Sequence, residues 1–158
     1  MSTAVVWQDS DAALVAELGA LETQLHSTWA QMLSVVAEID SRGTTTTVGY
    51  PTTVELIRAV GRVSLSEARA RIAVAAEVLP GRGLNGAPVE PKLPATAAAV
   101  AEHAIGPADV KVIRSILGRI PPQLGDQTRA EVEAELARHA RTLDAGQLAV
   151  LGKRILGY

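Results

Sequence analysis

The first part of the chain has hydrophobic residues at alternating spacings of four and three, the period of a helix that pairs along one face. We refer to the eight positions of this row as the seam: Leu14, Leu18, Leu21, Leu25, Thr28, Met32, Val35 and Ile39. Thr28 is its one polar member. The pattern predicts a helix from about Asp11 to Arg42, which Asp9 or Ser10 caps at its start and Gly43 ends.

Such a helix would be about 45 Å long at 1.5 Å per residue, which exceeds the width of a compact domain of this size. We therefore expect it to be either the spine of a bundle or an arm that binds a partner. Trp29 lies beside the seam and is expected to anchor a second contact. If the seam pairs with its copy in a homodimer, the candidate interface residues are Leu14, Leu18, Leu21, Leu25 and Met32.

The rest of the chain is predicted to contain shorter helices over 54–61, 65–79, 95–103, 107–119, 127–141 and 145–157. Ser64 and Glu67 have the spacing of a capping box, and Pro107 suits a first helical turn. Residues 43–53 are predicted to be a polar turn. Residues 80–94 are rich in Gly and Pro, which predicts no regular structure there and a possible hinge or sub-division. We expect an all-α fold in a single domain, with the long N-terminal helix packed against several short helix-turn-helix pairs.

The composition supports this fold class. The chain has 158 residues, of which 47% are hydrophobic and 27 are Ala, and it has no Phe. Small apolar side chains favour close-packed helices. The absence of Cys excludes disulfides, thiolate zinc sites and Cys nucleophiles. We find no apolar run of membrane-spanning length and no export signal at the N-terminus, so we expect a soluble protein and take the cytoplasm as its default location.

The formal net charge of −2 is too small to attract polyanions, so any nucleic-acid binding requires a local basic face. The pair of helices over 54–79 has the length of a DNA-binding helix-turn-helix. Its candidate contacts are Arg58, Arg62, Arg69 and Arg71. The alternative is a set of surface ion pairs, because Glu55 and Glu67 precede two of these arginines by three and four residues. Two further helix pairs offer sparser basic residues: Lys111, Arg114, Lys153 and Arg154.

No catalytic residue, metal site or cofactor is predicted. Glu131, Glu135 and His139 recur at intervals of four, whereas di-metal bundles use Glu and His three apart with a matching motif on another helix. With Arg138 beside them, they are expected to form a salt-bridged surface. The two other histidines are expected to be surface or boundary side chains. The Gly-rich segment over 80–86 lacks the preceding strand and the Lys-Ser/Thr pair of a phosphate-binding loop.

Several short motifs follow one another in order along the chain: 25–29 (LHSTW), 39–43 (IDSRG), 49–52 (GYPT), 63–71 (VSLSEARAR), 93–96 (LPAT), 105–110 (IGPADV) and 141–144 (RTLD). Together they resemble the actinobacterial 13E12 repeat family, in the helical domain of unknown function that usually precedes an HNH endonuclease module. The resemblance covers most of the chain. One departure is Asp109, where we expect His in many relatives; this weakens polyanion contact by the helix at 107–119.

The resemblance implies a non-catalytic helical module that binds or positions DNA for an attached or associated HNH-type nuclease. The module itself would not be an enzyme, because the chain lacks the His and Asn cluster of an HNH site. The alternative is a protein-interaction scaffold that uses the seam. The two hypotheses differ in their salt dependence, because phosphate binding weakens steeply with salt and seam pairing does not.

Overall fold

The structure is a computed structural model that describes residues 6–157. Over these residues the chain forms eight α-helices, two short 3-10 helices (Val6–Gln8 and Pro122–Leu124) and one small hairpin. The elements are α1 (Asp11–Arg42), α2 (Thr44–Val48), α3 (Thr53–Gly61), α4 (Leu65–Val78), β1 (Gly81–Arg82), β2 (Pro88–Val89), α5 (Pro94–Ala101), α6 (Pro107–Leu117), α7 (Gly125–Ala140) and α8 (Ala145–Ile155). The all-α prediction is confirmed, and the predicted helix bounds are correct within about two residues.

Capping side chains set the first helix ends as the sequence predicts. The Ser10 hydroxyl accepts a hydrogen bond from the N–H three residues later at 3.2 Å, and Gly43 ends α1 with φ of 65°. Ser64 caps α4 in the same way at 3.1 Å. The predicted capping box is only half formed, because the Glu67 carboxylate accepts a hydrogen bond from Arg71 at 3.0 Å instead.

The prediction of a polar turn over 43–53 is wrong in part, because α2 occupies five of these residues. Gly43 and Gly49 flank it with φ of 65° and 82°, the left-handed conformation that glycine adopts without strain. The chain therefore reverses at each end of a short run of threonines. The sequence contains both glycines, but threonine favours helices weakly, and α2 depends on this flanking geometry.

The prediction that residues 80–94 have no regular structure is also wrong. Gly81 pairs with Val89 and Arg82 with Pro88 in an antiparallel hairpin of two residues a side. Its turn contains Gly86 with φ of 77°. Pro88 is tolerated because it lies on an exposed edge, where no further ladder hydrogen bond is needed. A hinge in this segment stays a prediction.

The core is one cluster that draws on α1 and on α3 through α8. From α1 it takes Trp29, Leu33 and Val36, at spacings of four and three on a face next to the seam. The largest fully buried apolar side chains from the rest of the chain are Ile105, Val110, Ile113, Leu117, Leu136 and Leu148. Helices α6 and α8 pack closely at Gly152, where a Cβ atom would lie 2.5 Å from Ile116 Cγ1. None of the helices in the described part of the chain is both long and apolar enough to cross a membrane.

A buried carboxylate joins the second half of the bundle. Glu133 on α7 is only 3% exposed, and its Oε1 accepts hydrogen bonds from the Thr96 backbone N–H and from the Thr96 hydroxyl, both at 2.6 Å. Glu133 on α7 thus accepts the hydrogen bond of a backbone N–H in the first turn of α5. A carboxylate at a helix N-terminus is favoured by the helix dipole and by the unpaired N–H groups there.

We expect Glu133→Ala to lower the free energy of unfolding by about 2–4 kcal/mol, because it leaves a buried N–H and a buried hydroxyl without an acceptor. Glu131→Ala, an exposed position on the same helix, should change it by less than about 0.5 kcal/mol. Urea unfolding followed by circular dichroism measures both. Equal effects of the two substitutions would contradict the capping role.

Candidate functional site

Two of the four candidate arginines are engaged by other side chains. The Arg58 Nη1 atom lies 3.3 Å from Glu55 Oε1 in a half-exposed ion pair. The Arg71 side chain is 19% exposed, and its Nε atom lies 3.0 Å from Glu67 Oε1. Its Nη1 atom contacts the Met32 sulfur at 3.4 Å. The alternative prediction of ion pairs is confirmed for both arginines, and Arg71 in addition joins α4 to α1.

The other two candidates, Arg62 and Arg69, are exposed and take part in no ion pair within residues 6–157. Arg62 ends α3 with φ of 52°, which is an uncommon backbone conformation for a residue with a side chain. Arg69 follows the fully buried Ala68, on the side of α4 away from the contact between Arg71 and Met32. The structure therefore does not gather all four arginines into one charged face.

The distribution of charge along the chain is a signal that the net charge conceals. The six acidic residues before Arg42 are Asp9, Asp11, Glu17, Glu22, Glu38 and Asp40, and no Lys or Arg occurs in that stretch. The remainder, from Arg42 onward, contains all 15 basic residues and 11 acidic ones. The first helix is therefore acidic, and the chain from Arg42 onward carries a net positive charge. The sequence contains this asymmetry, but the overall charge of −2 does not reveal it.

Most of the seam lies outside the core, although Met32 packs against it. Trp29 is buried, which confirms that it anchors a contact beside the seam. On the seam itself, Leu18 is 62% exposed, Leu21 47% and Leu25 63%, while Leu14 and Met32 are partly buried. Over residues 11–25, which we call the projecting half of α1, every residue except Leu14 is exposed. The rest of the described chain therefore leaves this half of the helix uncovered.

The seam leads into a groove of about 480 Å³ between α1, the start of α4 and the start of α6. Leu25 and Met32 line it from the seam, and Glu22 and Asp109 line it with carboxylates. The groove marks the place where α1 leaves the body of the protein.

The histidine His26 attaches α1 to the rest of the protein at this point. His26 is partly buried, as predicted for a boundary residue, and its Nδ1 atom donates to the His103 carbonyl oxygen at 3.1 Å. Its ring also packs on Gly106, where a Cβ atom would lie only 2.7 Å from His26 Nε2. A side chain at position 106 would therefore force the His26 ring to move at this approach of α1 to α6.

The acidic helix α7 has the ion pairs that its spacing predicts. Glu135 Oε1 lies 2.7 Å from Arg138 Nη2 and 2.9 Å from His139 Nε2. The hydrogen bond from Arg138 and then that from His139 hold the pKa of Glu135 below its ordinary value. Across the part of the chain that the structure describes, no three His, Cys, Asp or Glu side chains are placed to hold a metal ion together.

The chain belongs to the family of the domain of unknown function DUF222, whose model matches residues 14–158. It is similar to the uncharacterized protein MT1160 of Mycobacterium tuberculosis, with 39% identity over 95 residues, 60% of this chain and 23% of that protein. The uncharacterized protein MT1741Mb1728c of the same species is 41% identical over 93 residues, 59% of this chain and 20% of that protein. The uncharacterized protein Mb1614c of Mycobacterium bovis is 44% identical over 64 residues, 40% of this chain and 28% of that protein.

The matched segments thus span 20% to 28% of the relatives' own length. Among solved structures there is no significant match.

We expect Arg71→Ala to lower the free energy of unfolding by about 1–2 kcal/mol, because the partly buried side chain packs between α1 and α4 and leaves Glu67 without its partner. Arg69→Ala removes an exposed side chain and should change it by less than about 0.5 kcal/mol. Urea unfolding of the two variants distinguishes them. A stability loss with Arg69→Ala as large as that with Arg71→Ala would contradict this assignment.

Proposed function

We propose that this domain is a non-catalytic interaction module that pairs with a helix of its partner along the seam. The observation that carries the proposal is the exposure of Leu18, Leu21 and Leu25 on the projecting half of α1. Their spacing of three and four is that of helices that pack knobs into holes. Helix α1 thus has two apolar faces: the one with Trp29 packs in the core, and the seam is exposed at Leu18, Leu21 and Leu25.

The energetics set the length that the interface needs. Burying the three leucines contributes about 5–9 kcal/mol at 1.5–3 kcal/mol each. Association costs about 4–15 kcal/mol in lost translational and rotational freedom. The three leucines alone therefore give weak binding. A stable complex must extend along the seam from Leu14 to Met32 and use the groove at its end.

The test uses a labelled peptide of four heptads, with Leu at the two core positions of each heptad and Gln at the flanking positions, at trace concentration. We expect the protein to bind this neutral peptide or to self-associate, and Leu21→Asp/Leu25→Asp to abolish either behaviour, because a carboxylate cannot enter an apolar seam. Val150→Asp is the matched control, since Val150 is exposed on α8. Fluorescence anisotropy and sedimentation equilibrium give the readout.

A wild-type protein that stays monomeric and binds no peptide would contradict the proposal. So would equal losses with the seam variant and the Val150 control, because the effect would then not belong to the seam.

A second candidate function is the positioning of DNA for an attached or associated HNH-type nuclease, as the 13E12 resemblance implies. Two observations support it. Arg62 and Arg69 are exposed and take part in no ion pair among the described residues, and the chain from Arg42 onward carries a net positive charge. Arg58 and Arg71 contribute less, because carboxylates already neutralise them. The nuclease partner and the cytoplasmic location stay predictions.

The DNA candidate is tested by a salt titration of binding to duplex and single-stranded DNA. We expect log K to fall linearly with log salt, and Arg62→Glu/Arg69→Glu to reduce that slope by about 2, since each phosphate contact contributes about 0.9. Arg138→Glu is the control, because Arg138 is exposed but paired with Glu135. Absence of binding at low salt would reject this candidate and leave helix pairing.

A further inference from the structure

We infer that the partner of the seam is a basic amphipathic helix from another protein or segment, not a second copy of α1. This inference rests on the proposed function, namely that the seam binds a helix. It comes from the charges beside the seam and from the groove into which the seam leads.

The residues that flank the seam are acidic or neutral. In a heptad whose two core positions are Leu18 and Leu21, the flanking positions are Glu17 on one side and Glu22 on the other. Both glutamates are exposed and neither takes part in an ion pair within residues 6–157. Flanking positions decide which helices pair, because their charges meet across the interface.

A second copy fits this pattern poorly. In a parallel pair, Glu17 of one copy lies opposite Glu22 of the other, which places like charges at the contact. In an antiparallel pair of projecting halves, no basic residue is available to meet either glutamate, because residues 11–25 contain no Lys or Arg. The apolar row favours pairing, and the charges beside it disfavour pairing with itself.

The groove, like the seam, combines apolar side chains with carboxylates. Its lining joins Leu25 and Met32 to the carboxylates of Glu22 and Asp109. The one Lys or Arg side chain in that lining is Arg71, which Glu67 already pairs at 3.0 Å. Asp109 Oδ2 accepts a hydrogen bond from the Gly106 N–H at 2.9 Å, and Glu22 takes part in no ion pair within residues 6–157. A Lys or Arg of the partner would therefore find carboxylate oxygens at this end of the seam as well. Helix partners with apolar cores and basic flanks match both regions.

The test compares three peptides that share the Leu core positions and carry Lys, Gln or Glu at every flanking position. We expect the Lys peptide to bind about tenfold more tightly than the Glu peptide at low salt, with the Gln peptide between them. The difference should shrink as salt rises, because exposed charges are screened. Fluorescence anisotropy with labelled peptide measures the three affinities.

A charge reversal makes the test specific to the seam. Glu17→Lys/Glu22→Lys should reverse the preference, so that the Glu peptide binds more tightly than the Lys peptide. Glu90→Lys/Glu131→Lys is the control, because it makes the same change in net charge at exposed positions outside α1 and should keep the wild-type order. Circular dichroism checks that each variant keeps its helix content.

The outcomes separate this inference from the proposed function. Equal affinity for the Lys and Glu peptides would overturn the basic partner and leave helix pairing intact. Self-association tighter than binding of the Lys peptide, and lost in Leu21→Asp/Leu25→Asp, would assign the seam to a second copy instead. Binding of no peptide together with a monomeric protein would reject the proposed function itself.

Discussion

The anchoring of α1 by Trp29, Leu33 and Val36 is the contact on which the rest of the structure depends. These side chains form one buried face that packs on the core and joins the first helix to those that follow. The anchored face occupies the second half of the helix, and His26 on Gly106 marks where it begins. The first half continues past the body. Because helix formation is cooperative, the anchored half supports the projecting half without further contacts.

This arrangement separates two surfaces of different chemistry. The projecting half of α1 is apolar along the seam and acidic beside it. The chain from Arg42 onward contains every Lys and Arg, and part of that positive charge is neutralised in ion pairs such as Arg114 with Glu77. The net charge of the protein is therefore near zero although its regions carry charges of opposite sign. A partner that binds the first surface therefore need not have the same charge and polarity as a partner that binds the second.

Local rules predicted most of the helices, since Ser10, Gly43 and Pro107 act on neighbouring backbone. The features that the sequence did not predict depend on contacts between residues that are far apart along the chain. The heptad row correctly predicted the helix, but it could not predict that the core uses the stripe with Trp29, because the later helices determine which face is covered. Spacing paired Arg71 with Glu67, but it could not predict that Arg71 is partly buried, because that depends on the contact with Met32. Glu133 was not singled out, since its partner Thr96 lies on another helix.

The most direct measurement of the central claim is native-state amide hydrogen exchange along α1. The account predicts protection close to the global stability for residues 29–37, and exchange about a hundredfold or more faster for residues 11–22, because the projecting half can fray without exposing the core. Addition of a seam-binding helical peptide should then slow exchange in residues 11–22. Uniform protection along the whole of α1 in the isolated protein would contradict the account, because both halves would then be held by the fold.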